Sequence, residues 1–201
     1  MSVSCNVEPG FKMLADLTAP LNLVELFGRQ APAELEIGAG RGDFILDYAQ
    51  QHGGINFLAV ERKQTVLKRM VNKLTRAQVT NVQVLNVEIL HLLQNYLPPQ
   101  SFQAVHIYFP DPWPKKGHVK RRLVRQENLG LILRALAPGG FLHFRTDHPV
   151  YNREAMQVFG EAEALRRIDI PVPLMQVTTG YERRFLSQGT EIHRATFVYQ
   201  P

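Results

Sequence analysis

Short apolar runs alternate along the chain with stretches whose apolar residues recur every three or four positions. The runs are nearly continuous in branched and aromatic residues, which is typical of parallel strands buried on both faces. They lie at 33–37, 56–60, 82–87, 104–109 and 141–146. The stretches between them have the spacing of amphipathic helices. The clearest such stripes are Phe44-Ile45-Tyr48-Ala49, Val66-Leu67-Met70-Val71-Leu74 and Leu129-Ile132-Leu133-Leu136, the last followed by Pro138-Gly139-Gly140 as a stop signal.

This alternation predicts right-handed βαβ units and an α/β fold with a doubly wound, mostly parallel sheet. The end of the chain differs, because residues 191–199 alternate with a period close to two. We expect a late antiparallel strand there, paired with a strand near 170–178. The 201 residues suit one domain with a small appendage. We assign 31–201 to that domain and 1–30 to an N-terminal segment, partly helical or mobile, with a candidate helix at 13–27.

A glycine-rich loop follows the first strand of the domain and opens a helix. Gly38, Gly40 and Gly42 alternate with other residues there, and Glu61 ends the next strand about 20 residues later. Glycine lets the backbone approach a ligand closely, and a carboxylate at the second strand end can accept both hydroxyls of a ribose. The loop therefore predicts a nucleotide-type cofactor.

Acidic residues around the loop argue against a dinucleotide. Asp43 occupies the third-glycine position of the G-x-G-x-x-G pattern, and Glu36 precedes the loop, so a pyrophosphate would be repelled. A cofactor with a cationic end, such as S-adenosylmethionine, suits the site better. We expect Glu36 to hold its ammonium group, Glu61 its ribose and Glu88 its adenine amine. Gly38 and Gly40 complete the predicted cofactor-binding set.

The segment Phe109-Pro-Asp-Pro-Trp-Pro-Lys-Lys116 follows the fourth predicted strand. Its three prolines exclude helix and predict a stiff, extended turn. A stiff turn can aim a carboxylate and an indole at a planar base. Trp113, the single tryptophan, can stack on the base, and Asp111 can accept hydrogen bonds from its N–H groups.

Basic residues come directly after this turn. Residues 115–125 hold six of the 23 Lys and Arg and none of the 18 Asp and Glu, so the rest of the chain carries a net charge of −1. The net charge of +5 thus has a local origin in this segment. An unbalanced basic run beside an aromatic residue is typical of a phosphate-binding surface. We therefore expect a nucleic-acid partner to dock here.

Other classes of function are disfavoured. The first residues lack a basic region followed by an apolar core, so no secretory signal is predicted, and the longest uncharged stretch is too polar for a membrane span. The single cysteine, Cys5, cannot form an intrachain disulfide, which fits a cytoplasmic setting. The histidines show no metal-ligand spacing, so we expect no structural metal.

Four blocks of residues 33–199 resemble the bacterial single-subunit tRNA (guanine-N7-)-methyltransferases. They are the cofactor loop Leu35-Glu-Ile-Gly-Ala-Gly-Arg-Gly-Asp-Phe44, the segment from Phe109 to Leu123, Phe144-Arg-Thr-Asp147, and Thr179-Gly-Tyr-Glu182 with Phe185, Gly189 and Ile192-His-Arg194. The resemblance implies a seven-stranded, Rossmann-like class I methyltransferase fold. It also implies transfer of a methyl group from S-adenosylmethionine to N7 of a guanosine in the tRNA variable loop.

The resemblance assigns a role to individual residues. Asp111 falls on the proposed active-site position and, with Glu36, Glu61 and Glu88, on the acids that bind the cofactor. The positions that match tRNA-substrate residues of the family are Lys115, Asp147, Thr179, Gly180, Tyr181 and Glu182. The positions that match its basic RNA-contacting stretch are Lys116, His118, Lys120, Arg121 and Arg122. Glu88 stands where aspartate is usual in the family.

Two other classes of function stay open at this stage. One is a class I methyltransferase that acts on another nucleic-acid base or on an amine, because the Pro-Asp-Pro-Trp turn resembles the N/D-P-P-Y/F turn of amino-methyltransferases. The other is a non-catalytic RNA-binding protein of the same fold. For the protein itself we expect tRNA as the partner, no membrane, and a monomer or weak homodimer.

Overall fold

A computed structural model of the chain describes residues 13–14 and 19–201, with the Lys116 side chain outside the description. The strands are β1 Met13–Leu14, β2 Ala33–Ile37, β3 Asn56–Val60, β4 Val82–Leu85, β5 Phe102–Tyr108, β6 Leu136–Thr146, β7 Leu165–Ile168 and β8 His193–Tyr199. The helices are α1 Leu23–Phe27, α2 Asp43–Gln51, α3 Gln64–Arg76, α4 Ile89–Asn95, α5 Gln126–Ala135, α6 Pro149–Gly160, α7 Val172–Gln176 and α8 Gly180–Ser187, with a 3-10 helix at Lys116–Arg121.

All the described strands form one sheet in the order β1-β4-β3-β2-β5-β6-β8-β7. Strands β1 to β6 pair in parallel, whereas β8 runs antiparallel to both β6 and β7. The seven strands from Ala33 onward confirm the predicted doubly wound, mostly parallel sheet with an antiparallel end. The two-residue strand β1 pairs with β4 and adds an eighth strand at that edge of the sheet.

Helices cover both faces of the sheet, which explains why most strand residues are buried and apolar. One core cluster joins the sheet to α1, α4, α5 and α6, and the other joins it to α2, α3 and α7. Strands β2, β3 and β4 are buried at every position. Because a parallel sheet turns all its carboxyl ends to one edge, the loops after β2 to β5 meet there.

Two predictions about the ends of the chain were wrong in detail. The partner of β8 is β7, Leu165–Ile168, and the region near 170–178 instead forms the short helix α7. Pro171 and Pro173 flank the first turn of that helix, where a missing N–H costs no hydrogen bond. Of the candidate helix at 13–27, Met13–Leu14 form β1 and Leu23–Phe27 form α1, which begins after Asn22 caps the amides of Val24 and Glu25, whereas 15–18 lie outside the described residues.

Strand β6 begins earlier than predicted, at Leu136, directly after α5 ends. The expected stop at 138–140 is therefore part of an extended segment with a register shift against β5. Residues 1–12 and 15–18, which carry most of the predicted N-terminal segment, lie outside the described residues. Within the described ranges, no helix is long and apolar enough to cross a bilayer.

Candidate active site

A cavity of about 630 Å³ opens at the carboxyl ends of β2, β3, β4 and β5. All six predicted cofactor-binding residues border it, namely Glu36, Gly38, Gly40, Glu61, Glu88 and Asp111. The cavity is also bordered by several residues that the sequence assigned to the base or to RNA, namely Trp113, Lys120, Arg121, Arg122, Thr179 and Tyr181. The glycine loop, the proline-rich turn and parts of the basic segment are thus brought to one place by the topology of the sheet.

The glycine loop has the backbone conformation that glycine permits. Gly38, Gly40 and Gly42 have φ angles of 73°, 57° and 70°, in the left-handed region. The amide of Gly40 donates to Oε2 of Glu61 at 3.1 Å, and Oε1 of Glu61 accepts from the amide of Lys63 at 2.7 Å. The second-strand carboxylate is therefore held in place beside the loop.

Glu36 is the most perturbed acid of the cavity. Its side chain is 3% exposed, and its Oε2 has no hydrogen-bond partner among the described residues. Burial raises the pKa of this carboxyl well above its usual range; nearby Asp43 and Glu61 add to the rise and Arg145 opposes it. An unpartnered acidic oxygen in a ligand-sized cavity calls for a cationic or hydrogen-bond-donating ligand.

Glu88 ends the β4 segment and caps helix α4. Its Oε2 accepts from the amide of His91 at 2.8 Å, and the residue remains exposed at the cavity wall. Strand ends β2, β3 and β4 therefore each place one carboxylate on the cavity. The donor set matches a ligand with an ammonium group, a ribose and an amino-substituted base, so the residues present fit S-adenosylmethionine.

The turn after β5 is strained as well as stiff. Phe109 and Trp113, neither of them glycine, have φ angles of 51° and 41°. Asp111 is exposed between them and borders the cavity. The guanidinium of Arg121 lies 5.1 Å from the Trp113 ring centroid, and the His118 ring meets the indole edge-on at 5.7 Å. This turn thus presents a carboxylate beside an aromatic and cationic surface.

Arg122 occupies a different position from the one predicted. It is 3% exposed, its Nε donates to the carbonyl of Pro112 at 2.6 Å, and its Nη1 pairs with Glu154. The guanidinium also lies 5.0 Å from the centroid of the Tyr151 ring. Because its donors are already engaged inside the protein, Arg122 does not belong to the exposed RNA-contacting surface. It anchors the catalytic turn to α6 instead.

The remaining basic residues stay at the surface around the 3-10 helix. Lys115, Lys120 and Arg121 are exposed and His118 is half-buried. Lys120 and Arg121 border the cavity, so positive charge reaches its mouth. The predicted contribution of Lys116 rests on a side chain outside the described part of the structure.

Helix α8 begins with a reciprocal capping box. Thr179 Oγ1 accepts from the amide of Glu182 at 2.9 Å, and Glu182 Oε2 accepts from the amide of Thr179 at 3.3 Å. Glu182 is 1% exposed and also accepts from Arg145 at 2.8 Å and from Arg194 Nε at 3.0 Å. A methyl group on Gly180 would lie 2.2 Å from Asp43 Oδ2, so any larger residue there would require the Asp43 side chain to move.

These contacts divide the predicted substrate residues into two groups. Glu182 accepts hydrogen bonds from the buried Arg145 and the half-buried Arg194, so both of its carboxylate oxygens are engaged inside the protein, and its match to a substrate position stays a prediction. Thr179 and Gly180 shape the same helix start. Tyr181 alone points outward, 52% exposed, borders the cavity and lies 6.2 Å from the Phe109 ring. Asp147 is half-buried after β6 and is not among the residues that border the cavity.

The most informative residue that sequence reasoning missed is Arg145. Besides Glu182, its guanidinium donates to the carbonyl of Val177 at 2.8 Å and lies 4.4 Å from the Tyr108 ring centroid. It therefore ties β6, β5 and the approach to α8 together. A charged residue inside an otherwise apolar strand was the available signal. Among the described residues, no group of three His, Cys, Asp or Glu side chains could hold a metal ion.

Comparisons with known proteins agree with this geometry. A family model described as "Putative methyltransferase" matches residues 30–195. The structure is similar to that of the 16S rRNA methyltransferase KamB, with a TM-score of 0.67 at 15% identity over 89% of this chain and 93% of that one. It is also similar to an S-adenosylmethionine-dependent methyltransferase from Aquifex aeolicus, with a TM-score of 0.58 at 14% identity over 88% and 87% of the chains.

Fold and site together define a class I S-adenosylmethionine-dependent methyltransferase. A tRNA (guanine-N(7)-)-methyltransferase of Syntrophotalea carbinolica is 37% identical over 189 residues, which are 92% of this chain and 82% of that relative. The chain belongs to the family of tRNA (guanine-N(7)-)-methyltransferases.

Proposed function

We propose that this protein transfers a methyl group from S-adenosylmethionine to N7 of a guanosine in the variable loop of tRNA. The observation that carries the proposal is the common cavity of the acidic glycine-loop site and the Asp111 turn, with exposed Lys120 and Arg121 at its mouth. The family supplies the substrate, since its relatives are named for guanine N7 of tRNA.

Several residues of this chain would hold the cofactor. Glu36 would hold the ammonium group, Glu61 the ribose and Glu88 the adenine amine. The backbone of Gly38 and Gly40 leaves room for close approach, because a Cβ at either position would meet nothing nearer than 3.9 Å. When bound, S-adenosylmethionine would supply an electrophilic methyl group. The in-plane lone pair of guanine N7 would bond to that methyl carbon as its bond to sulfur breaks, which would give a cationic base and S-adenosylhomocysteine.

Guanine N7 carries no proton, so the protein needs no general base for this reaction. Its contribution is to align the base and to stabilise the positive charge that develops on it. Asp111 is the acid of the turn and would face the base as that charge develops. The half-buried ring of Trp113 and the exposed ring of Tyr181, which both border the cavity, would hold the base plane.

The cationic residues at the mouth would bind the tRNA backbone. Lys120 and Arg121 are exposed there, Lys115 is exposed nearby in the chain, and none of the three has an ion pair within 4.0 Å in the described part of the chain. Contacts of this kind position the RNA and make binding salt-dependent without reading its sequence.

The proposal is tested by incubating the protein with labelled S-adenosylmethionine and an unmodified tRNA transcript. Aniline treatment should then cleave the product at one variable-loop guanosine, because methylation at N7 labilises that glycosidic bond. A matched transcript with that guanosine replaced by adenosine should accept no label. Label on the RNA without aniline cleavage would indicate another base or amine, and cofactor binding without any label on RNA would favour a different substrate.

A further inference from the structure

A second basic segment contains residues to which the proposed function assigns no role. Residues 62–76 contain six Lys and Arg and no Asp or Glu, as many basic residues as the segment 115–125. Together the two segments hold 12 of the 23 Lys and Arg and none of the 18 Asp and Glu, which leaves 11 basic against 18 acidic residues elsewhere. The positive charge of the chain is therefore concentrated in two places.

The structure arranges most of this second segment along helix α3. Leu67, Met70 and Leu74 pack into the core, so the charged positions between them turn to solvent. Lys68, Arg69 and Arg76 are exposed, and Gln64, Thr65 and Asn72 complete a wholly polar outer face. We call Lys68, Arg69 and Arg76 the α3 stripe.

The stripe is not neutralised within the protein. Of the charged groups in this segment, Lys73 pairs with Asp43, and no carboxylate of the described residues lies within 4.0 Å of the nitrogens of Arg62, Lys63 or the α3 stripe. Such unbalanced charge repels itself and costs free energy unless an anionic partner binds. The outer face offers no apolar side chain for a lipid surface to bury.

The stripe continues the mouth of the cavity. Arg62 and Lys63, which directly precede α3, border the cavity itself. From Lys68 to Arg76 the helix rises roughly 12 Å, a distance over which one strand of a nucleic-acid duplex carries three or four phosphates. An RNA whose guanosine enters the cavity would therefore have backbone within reach of the stripe.

We propose that the α3 stripe binds the phosphate backbone of a second region of the same tRNA, away from the methylated nucleotide. This inference rests on the proposed function for its substrate. It predicts that the stripe contributes to the affinity for a whole folded tRNA and not to the affinity for a short RNA around the target base.

Equilibrium binding without cofactor tests the inference with two RNAs: an unmodified full-length tRNA transcript and an oligonucleotide with the target guanosine and a few flanking nucleotides. The variant Lys68→Ala/Arg69→Ala/Arg76→Ala removes three charges. The control Arg153→Ala/Arg166→Ala/Arg167→Ala removes three charges from exposed positions on α6 and β7. The swap Lys68→Arg/Arg69→Lys/Arg76→Lys keeps the charge.

The α3 variant should bind tRNA about tenfold more weakly or worse, with a salt slope reduced by roughly two to three, because about three phosphate contacts are lost. Its affinity for the oligonucleotide should change less than about twofold, and the charge-keeping swap should bind tRNA like wild type. An unchanged tRNA affinity and salt slope in the α3 variant, or an equal loss of affinity in the control, would overturn the inference. An acidic protein would then be the next candidate partner for the α3 stripe.

The outcome is separable from that of the proposed function. If wild type binds tRNA through the stripe but aniline finds no methylated guanosine, the surface stands and the reaction does not. If methylation occurs and the stripe variant binds tRNA like wild type, the proposed reaction stands and the proposed tRNA-binding surface on α3 does not. Thermal melting of each variant confirms that the surface substitutions leave the fold intact.

Discussion

Arg122 donates from Nε to the carbonyl oxygen of Pro112 at 2.6 Å, which joins the end of the basic segment to the turn that carries Asp111. The same guanidinium pairs with Glu154 and lies over Tyr151, both on α6. The turn contains two residues in the left-handed region, and strain of this kind persists only where surrounding contacts hold it. A residue that looks like an RNA ligand in the sequence thus has a structural task next to the reacting base.

Replacing Arg122 should therefore affect stability and turnover more than RNA affinity. Arg122→Ala leaves the part-buried Pro112 carbonyl without its donor and Glu154 without its partner, and it is expected to cost about 2–4 kcal/mol of unfolding free energy. Urea denaturation and methyl transfer at saturating tRNA measure the two effects. Arg121→Ala, at an exposed neighbour, should lower the salt slope of tRNA binding with little change in stability. A reversed pattern between these variants would contradict the assignment.

Glu182 should behave as the centre of a buried ion network. It lies between Arg145 and Arg194, so Glu182→Gln leaves two guanidinium groups without their charge partner and is expected to destabilise the fold by about 3–5 kcal/mol. The midpoint of urea denaturation at constant m-value measures this change. Glu191→Gln, at an exposed position, should shift stability by less than about 0.5 kcal/mol. Equal midpoints for the two variants would show that the buried network contributes little.

Glu36 should make the stability of the cofactor-free protein depend on pH. Burial raises its pKa well above the ordinary value of 4.5, so the folded protein keeps a proton that the unfolded chain releases. The stabilisation from Glu36 is therefore fully present below pH 4.5 and is lost as pH rises toward the raised folded pKa, by at most about 1.4 kcal/mol per pH unit.

Urea denaturation of wild type and Glu36→Gln over about pH 5 to 8 tests this linkage. The difference in unfolding free energy, wild type minus variant, should fall steadily with rising pH. Glu163→Gln, at an exposed site, should run parallel to wild type. Calorimetry in buffers of different ionisation enthalpy should also detect proton release when wild type binds S-adenosylmethionine. Parallel curves for all three proteins would refute the role of Glu36.

Asp111 should matter for the reaction and little for docking. Asp111→Asn keeps the shape of the side chain but removes the charge that faces the methylated base, so turnover is expected to fall by about 100-fold or more. Affinity for tRNA should stay within about threefold of wild type, since phosphate contacts supply most of it. Single-turnover kinetics and filter binding measure the two quantities. Near wild-type turnover would remove Asp111 from the mechanism, and Asp169→Asn provides a surface control.

Much of the fold follows from local pattern. The parallel strands and the helices between them are visible in the apolar periodicity, because a strand buried on both faces has to be mostly apolar. The same pattern predicts approximately where the strands end. It therefore also predicts that Glu36, Glu61 and Glu88 lie together at one edge of the sheet. The strand that pairs with β8 cannot be read from local pattern, because the pairing of short strands depends on how distant segments pack. Two short segments, 165–168 and 170–178, precede β8 in the chain, and only the first of them is a strand.

Which polar residues are exposed and which are buried in ion pairs is decided by the tertiary structure. Sequence alone placed Asp111, Trp113 and a cationic run at one site, because chain neighbours stay together in any fold. It could not distinguish Arg121 from Arg122, or Tyr181 from Glu182, since adjacent residues on a turn or helix face different surroundings. Sequence alone also does not show that segment 62–76, as basic as 115–125, presents charge to solvent, since that exposure depends on which face of α3 packs against the sheet. The sequence determines which chemical groups lie close together along the chain. Which of them are buried, and which groups they bond to, is decided only when distant segments pack.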